Sequence, residues 1–70
     1  MGNNLSFVDE VEAARLTGLS IYTLRNWRFL GRGPAYVKFG RSVRYSLEDL
    51  RAFAERCRVR VQEELSAIRE

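Results

Sequence analysis

Residues 8–30, VDEVEAARLTGLSIYTLRNWRFL, contain the pattern that decides the fold. Asp9 is followed three residues later by Glu12, an arrangement in which each side chain can bond the other residue's backbone N–H at a helix start. A first helix is therefore predicted to begin after Asp9 and to end near Thr17. Gly18 follows where helices favour a residue in the left-handed conformation, so it is predicted to end this helix.

A second helix is predicted over residues 21–30, with Ser20 as its N-terminal cap. Two short helices joined by a tight turn that contains glycine are typical of a helix-turn-helix unit. Helical periodicity turns Leu24 and Trp27 toward the core. Aromatic, basic and amide side chains point away from it, which favours a helix that contacts a partner: Tyr22, Arg25, Asn26 and Phe29.

An alternating pattern after the second helix predicts a β-hairpin. Pro34 disfavours helix in the residue before it, and residues 36–39 and 43–45 alternate around a turn at 40–42. We expect Lys38 and Arg44 to face outward, with Arg41 at the tip. The apolar side chains of both strands are expected to share the inner face: Val37, Phe39, Val43 and Tyr45.

A third helix is predicted from residue 47 to the end of the chain, capped by Ser46. At about 35 Å it would extend past a body roughly 28 Å across. We hypothesise that its last apolar residues join protomers, although this part of the helix can also fold onto its own domain or fray. The residues of the apolar stripe are Leu47, Leu50, Phe53, Ala54, Cys57, Val61, Leu65 and Ile68.

The length of 70 residues predicts one domain, and the composition excludes several classes of function. We predict a flexible leader over residues 1–7, a helix-turn-helix domain over 8–57 and a C-terminal helix extension over 58–70. The chain has no histidine and one cysteine, Cys57, which excludes histidine-based catalytic triads, histidine metal ligands and an internal disulfide. We therefore expect no catalytic residues, no metal and no cofactor, and Cys57 is predicted to be a buried small hydrophobe.

The sequence also predicts no membrane association. No apolar run reaches the roughly 18 residues that a membrane-spanning helix needs. Residues 1–6 lack the basic region and apolar stretch of a signal peptide. A cytoplasmic location is expected.

The net charge of +3 is unevenly distributed along the chain. Residues 21–47 carry six basic side chains and no acidic one, whereas the flanking segments are net negative. A block of one sign indicates a basic face and a polyanionic partner, a solvated surface being the alternative. Nearly all the basic residues are arginine, whose planar fork matches phosphate and the guanine edge; codon bias in a G+C-rich genome would give the same excess.

These elements resemble a known family. The runs EAARLTGLS (12–20) and TLRNW (23–27) are similar to the first helix, turn and recognition helix of the MerR-like winged-helix superfamily. The run GRGPAYVKFGRSVRY (31–45) resembles the wing of its excisionase and AlpA-like branch. SLEDL (46–50) with Phe53 resembles the start of that branch's last helix, where tryptophan often takes the place of Phe53. The resemblance covers about residues 8–54 and leaves out residues 58–70.

The resemblance implies a mainly α winged helix-turn-helix with a two-stranded wing and a C-terminal helix, which binds double-stranded DNA. Some members are excisionases, which bind attachment-site DNA of a phage or mobile element, bend it and direct an integrase toward excision. We expect this role, with cooperative binding. The alternatives are a small AlpA-like transcriptional regulator, an adaptor that binds protein through the C-terminal helix, and an RNA-binding protein.

On this reading, residues 20–30 enter the major groove, which admits an α-helix. Arg25 is expected to contact a base edge, most simply guanine. Asn26 is assigned to adenine or a phosphate, and Tyr22 to a thymine methyl group or a phosphate. Ser20 and Thr23 are assigned to a phosphate. Arg28 is assigned to a phosphate or to anchoring of the wing.

The wing supplies the second set of predicted contacts. Arg41 at its tip is assigned to the minor groove, since a narrow groove attracts arginine. Phe29 on the second helix either packs under the wing or meets DNA. Arg32 is assigned to a phosphate or to anchoring of the wing. The other wing residues are expected to contact the DNA backbone: Lys38, Ser42 and Arg44.

Overall fold

The computed structural model describes residues 6–61 of the chain. Three helices and a small antiparallel sheet form a winged helix-turn-helix, which confirms the predicted fold class. The elements in chain order are β1 (Phe7–Val8), α1 (Glu10–Thr17), α2 (Ile21–Leu30), β2 (Val37–Phe39), β3 (Ser42–Ser46) and α3 (Leu47–Cys57).

Each helix begins directly after the N-terminal cap that was predicted from the sequence. The Asp9 side chain accepts a hydrogen bond from the backbone N–H of Glu12 at 2.9 Å. Ser20 accepts from the N–H of Thr23 at 3.0 Å, and a serine before α3 does the same for that helix. Gly18 ends α1 with φ of 77°, as predicted. The reciprocal half of the first capping box does not form, because the Glu12 carboxylate instead pairs with an arginine one turn along α1.

The core takes one fully or almost fully buried side chain from each helix and one from β3. These residues are Ala13, Leu24, Tyr45 and Leu50. Burial of a leucine such as Leu24 stabilises the fold by about 1.5–3 kcal/mol. Trp27, which the periodicity also turned toward the core, is half-buried and packs against this cluster. The core therefore holds α2 against α1, α3 and the sheet.

A short strand before α1 joins the wing, so the sheet has three strands in the order β1-β3-β2. Phe7 pairs with Ser46 and Val8 with Tyr45. The prediction of a flexible leader over residues 1–7 was therefore wrong at Phe7, and residues 1–5 lie outside the described part. β3 has two edges, and β1 pairs with the edge that β2 leaves open. A strand of two residues is too short to show any periodicity in the sequence.

The wing has a different register from the predicted one. Its pairs are Val37 with Arg44, Lys38 with Val43, and Phe39 with Ser42. Residues directly opposite each other in an antiparallel pair project from the same face. The apolar residues of β2 therefore lie on the opposite face from those of β3, and the predicted common inner face was wrong. Tyr45 and Val43 face the core, whereas Val37 and Phe39 lie on the outer face.

The cause of this difference is the length of the turn. A turn over residues 40–42 was predicted, but the hairpin loop has two residues, Gly40 and Arg41, and Ser42 already belongs to β3. Gly40 has φ of 64°, a positive angle that such two-residue loops require at their first position. A shift of one residue moves every side chain of a strand to the other face. The exposed Phe39 ring instead contacts Phe7 edge-on across the outer face, with centroids 5.4 Å apart.

The third helix is shorter than predicted. It ends at Cys57, and Arg58 is extended with φ of −66° and ψ of 132°. A single helix running to the end of the chain was therefore wrong, because residues 58–60 interrupt it. Cys57 is exposed, which corrects its prediction as a buried residue. Val61 is 63% exposed; the other two residues of the predicted protomer contact, Leu65 and Ile68, lie outside the described residues.

Within residues 6–61, no helix combines the length and the apolar character needed to cross a membrane.

Candidate nucleic-acid interface

The exposed face of α2 is the predicted one. Tyr22 and Phe29 are 74% and 87% exposed, and Arg25 and Asn26 are also exposed. Of the two alternatives for Phe29, packing under the wing is wrong, because that much exposure leaves the ring in solvent. An aromatic, basic and amide surface therefore lies along one side of a rigid helix whose other side is fixed by Leu24.

The N-terminus of α2 brings two hydroxyl groups together. Ser20 Oγ accepts from the backbone N–H of Thr23 and donates to Thr23 Oγ1, both at 3.0 Å. The first turn of α2 has no acidic residue, whereas the first turns of α1 and α3 each have two. The positive end of the α2 dipole is therefore not offset by a carboxylate, which is the arrangement that favours an anion.

Arg25 is not free in the structure. Its Nε and Nη2 atoms donate to Oε2 of Glu10 at 3.1 and 2.7 Å. Glu10 lies at the start of α1, and its side chain is 22% exposed against 50% for Arg25. The hydrogen bond from Arg25 holds the pKa of Glu10 below its ordinary value of 4.5, although partial burial opposes this. An acidic residue of α1 is thus part of the recognition surface.

Arg28 connects the carboxylate of Glu10 to β3 of the wing. Its Nη2 lies 3.2 Å from Oε1 of Glu10, and its Nη1 donates to the hydroxyl of the buried Tyr45 at 2.9 Å. The guanidinium also lies over the ring of Tyr36, 5.7 Å from its centroid. Partial burial lowers the pKa of Arg28. The hydroxyl of Tyr45 and the carboxylate of Glu10 together raise this pKa by more than burial lowers it, so the net shift is upward. Arg28 therefore makes the contacts of a wing anchor, one of its two predicted roles.

The basic residues of the wing have no acidic partner. Arg32, Lys38 and Arg41 are exposed, and Arg44 is half-buried with its Nη1 donating to the adjacent carbonyl of Val43. Within the described residues, none of these four side chains forms an ion pair. The register places Lys38 and Arg44 on opposite faces of the wing, so the prediction that both face outward together was wrong.

The wing and α2 approach each other at one open cleft between the start of α1 and the base of the wing. Its lining includes Glu10, Arg28, Arg41, Ser42 and Arg44. Three arginines, one from α2 and two from the wing, therefore line the same cleft as the carboxylates of Asp9 and Glu10. Arg28 of the predicted recognition helix and three predicted wing residues thus border one cleft, and Glu10 in that cleft pairs with both Arg25 and Arg28.

A sequence model of a family described as a helix-turn-helix domain matches residues 9–58. This match spans more than two thirds of the chain, from the cap of α1 to the residue after α3. The chain belongs to this family. The family occurs in excisionase and AlpA-like small DNA-binding proteins, so the resemblance drawn from the four sequence runs is confirmed. No curated protein matches the chain.

For this helix-turn-helix protein, sequence reasoning missed Glu10 as a part of the site. Its partner Arg25 is 15 positions away, and no helical or strand spacing links the two. The available signal was indirect, because Glu10 is one of only three acidic residues before the basic block. In a helix-turn-helix, the start of the first helix packs beside the second helix, so any acid there is a candidate partner.

The opposite side of α2 borders an open apolar groove. Trp27 lies about 200° around the helix from Arg25 and contacts Phe53 of α3, with ring centroids 5.6 Å apart. Leu16, Leu47 and Cys57 also line the groove. The exposure of Cys57 follows from this, since α3 leaves the groove open instead of closing on α1.

Proposed function

We propose that this helix-turn-helix protein binds a specific double-stranded DNA site and acts as an excisionase. In this role it binds attachment-site DNA of a phage or mobile element, bends it and directs a site-specific integrase toward excision. The observation that supports DNA binding best is the set of basic side chains on α2 and the wing, since those of the wing form no ion pair in the described part of the chain. The excisionase role rests on the resemblance of residues 31–45 to the wing of that branch.

In the proposed complex, α2 lies in the major groove. Arg25 contacts guanine, Asn26 contacts adenine or a phosphate, and Tyr22 contacts a thymine methyl group or a phosphate. The hydroxyls of Ser20 and Thr23, together with backbone N–H groups at the helix start, bind a phosphate. Phe29 stands at the exposed end of the same face, where an apolar ring suits contact with sugar or a thymine methyl group.

The wing is proposed to track the DNA backbone and the neighbouring minor groove. Arg41 sits exposed at the turn of the hairpin and is assigned to the minor groove. The remaining wing contacts go to phosphates, from Arg32, Lys38, Ser42 and Arg44. Arg28 acts mainly by fixing the wing to α2, through its hydrogen bond with the buried Tyr45.

Salt dependence tests the DNA-binding proposal directly. If about six basic groups meet phosphates, the logarithm of the binding constant falls with the logarithm of salt concentration at a slope near −5. The measurement is fluorescence anisotropy with a labelled duplex selected by the protein from a random library. A flat response would refute DNA binding through this surface.

Replacement of Arg25 by alanine tests the proposed contact between Arg25 and guanine. We expect a loss of about 1–3 kcal/mol on the selected duplex and relaxed preference at one base pair. Asn26→Ala on the same face is the matched control, since it relaxes a different base pair or none. Equal loss for Arg25→Ala on selected and random DNA would reassign Arg25 to a phosphate.

Excision control is separated from transcriptional regulation by the location of the selected site. Selected sequence within an attachment site, with stimulation of integrase-dependent excision on a plasmid substrate, supports the excisionase. A site at a promoter, with no effect on excision, supports the AlpA-like regulator instead. Both roles place the protein in the cytoplasm of a bacterial cell, at the DNA.

We further propose that protomers on adjacent sites touch through Val61, Leu65 and Ile68, so that binding is cooperative. The described support is the exposure of Val61 and the open apolar groove that ends at Cys57. The groove also favours the adaptor as a second candidate. Truncation after Arg58 is expected to abolish cooperativity on a duplex with two sites while leaving single-site affinity intact. Unchanged cooperativity and an unchanged association state would contradict the contact.

A further inference from the structure

Glu10 binds one edge of the Arg25 guanidinium and leaves a second edge of that group without a hydrogen bond in the described part of the chain. A guanidinium has five N–H groups in one plane. Glu10 Oε2 accepts from Nε at 3.1 Å and from Nη2 at 2.7 Å, so it occupies the side edge of the group. The outer N–H of Nη1 and the outer N–H of Nη2 form the end edge. Within the described residues, no hydrogen bond uses Nη1 of Arg25.

The end edge is a pair of parallel donors that matches guanine. Guanine presents two acceptors, O6 and N7, side by side in the major groove, and a bidentate arginine binds both. Such a contact needs the guanidinium in one orientation, whereas a free arginine side chain samples many rotamers. A carboxylate on the side edge fixes the plane and direction of the group without competing for the end edge.

The carboxylate of Glu10 is also held by an ion pair with Arg28, and its Oε1 accepts no hydrogen bond in the described part of the chain. Arg28 lies 3.2 Å from Oε1 of Glu10, and the same arginine donates to the hydroxyl of Tyr45, which is fully buried in the core. Glu10 also sits in the first turn of α1, directly after the capped start of that helix. The support for Arg25 thus runs through Glu10 and Arg28 into the core, on rigid elements that position a functional side chain well.

We infer that Glu10 is a positioning residue, which holds Arg25 by its side edge and presents its end edge to guanine in the major groove. The inference rests on the proposed DNA binding and deepens it, because it adds a residue of α1 that determines specificity without touching DNA. Its role differs from masking, in which Glu10 would only cancel the charge of Arg25, and from a purely structural ion pair.

The test compares affinity for two duplexes that differ by one atom. The duplex selected by the wild-type chain is prepared with guanine or with 7-deazaguanine, which lacks the N7 acceptor, at the position that depends on Arg25. The dissociation constant of the 7-deazaguanine duplex is divided by that of the guanine duplex. This ratio reports the N7 half of the bidentate contact. The ratio is taken within one protein preparation, so loss of folded protein cancels, and circular dichroism confirms the fold of each variant.

We expect Glu10→Ala to lower this ratio by up to about fivefold, the worth of one hydrogen bond, and to leave it unchanged in a chain that already carries Arg25→Ala. Glu12→Ala is the matched control. Glu12 is the other acid in the first turn of α1, and its loss changes the net charge by the same amount, but it pairs with Arg15. We expect Glu12→Ala to leave the ratio at its wild-type value.

Two results would overturn the inference while leaving the proposed function intact. One is an equal loss of affinity for both duplexes in Glu10→Ala, which would make the pair purely structural. The other is a gain of affinity for both duplexes with the ratio unchanged, which would make Glu10 a mask. Absence of salt-dependent duplex binding by the wild-type chain would instead refute the proposed function itself.

Discussion

Gly33 is the residue at which the placement of the wing is most sensitive to a single added carbon. It has φ of 91°, and a Cβ built there would lie 2.9 Å from both Cβ and Cε3 of Trp27. Alanine at a positive φ costs about 1–2 kcal/mol, of which roughly 0.4–1 kcal/mol is offset by the reduced freedom of the unfolded chain. Overlap in a packed contact costs about 1–3 kcal/mol more. Gly33→Ala is therefore expected to destabilise the fold by about 2–4 kcal/mol.

Gly31→Ala is the matched control for this prediction. Gly31 has φ of 75°, but an added Cβ there meets no atom within 4 Å, so only the backbone cost of about 1 kcal/mol applies. The difference between the two variants isolates the contact with Trp27. At about 4–8 °C per kcal/mol for a domain of this size, Gly33→Ala should melt roughly 5–20 °C below Gly31→Ala.

The assay is thermal and urea unfolding, followed by far-ultraviolet circular dichroism and by the fluorescence of Trp27, the one tryptophan of the chain. Equal destabilisation by the two substitutions would refute the reasoning, since it would show that the close approach of Gly33 to Trp27 adds nothing to the backbone cost. A raised affinity of Gly33→Ala for DNA would likewise contradict the argument that this contact fixes the wing beside α2.

Three further predictions concern the contacts around the wing. Tyr45→Phe removes the buried hydroxyl that accepts from Arg28 and should cost about 1 kcal/mol in urea unfolding; full wild-type stability would contradict this. Because Arg25 lowers the pKa of Glu10, that pair stabilises the fold above pH 4.5, and its contribution is lost as pH falls through the lowered pKa. The stability gap between wild type and Glu10→Gln should therefore close on acidification, and a gap independent of pH would be inconsistent with the ion pair. Arg41→Ala should remove the preference for A·T-rich sequence beside the selected site, as measured by competition between duplexes.

The helix boundaries were predictable because each depends on residues close in sequence. Asp9 and Ser20 each bond a backbone N–H three residues later, and such a contact is present in the sequence as a residue type at a fixed spacing. The end of α1 at Gly18 was likewise predictable from the residue type, since the left-handed conformation at a helix end favours glycine. The exposed face of α2 followed from the helical period alone.

The sheet was predicted less well because its geometry depends on small differences in length. The apolar residues Val37 and Phe39 alternate with the correct period, yet the loop is one residue shorter than predicted and every side chain of β2 changes face. The pairing of Phe7 with Ser46 joins strands separated by two helices and the rest of the wing. No local pattern in the sequence encodes that contact.

The end of α3 was missed for a related reason. The apolar stripe continues past Cys57 in the sequence, but periodicity states only which residues share a face and not whether a surface lies beneath that face. In the structure α3 ends at Cys57, which is exposed, and Arg58 leaves the helical conformation. A helix stabilised by packing stops where the packing stops.

The fold divides the basic block of residues 21–47 into two parts with different electrostatic surroundings. The α2 arginines Arg25 and Arg28 share the carboxylate of Glu10, whereas the basic residues of the wing form no ion pair in the described part of the chain. Paired charge contributes less to long-range attraction, and unpaired exposed charge contributes to it fully. On the proposed function, the wing therefore supplies the salt-dependent, sequence-independent share of affinity, and α2 supplies selectivity. Substitutions in the wing should change the salt slope while base preference at the Arg25 position is kept, and substitutions at Glu10 should do the reverse.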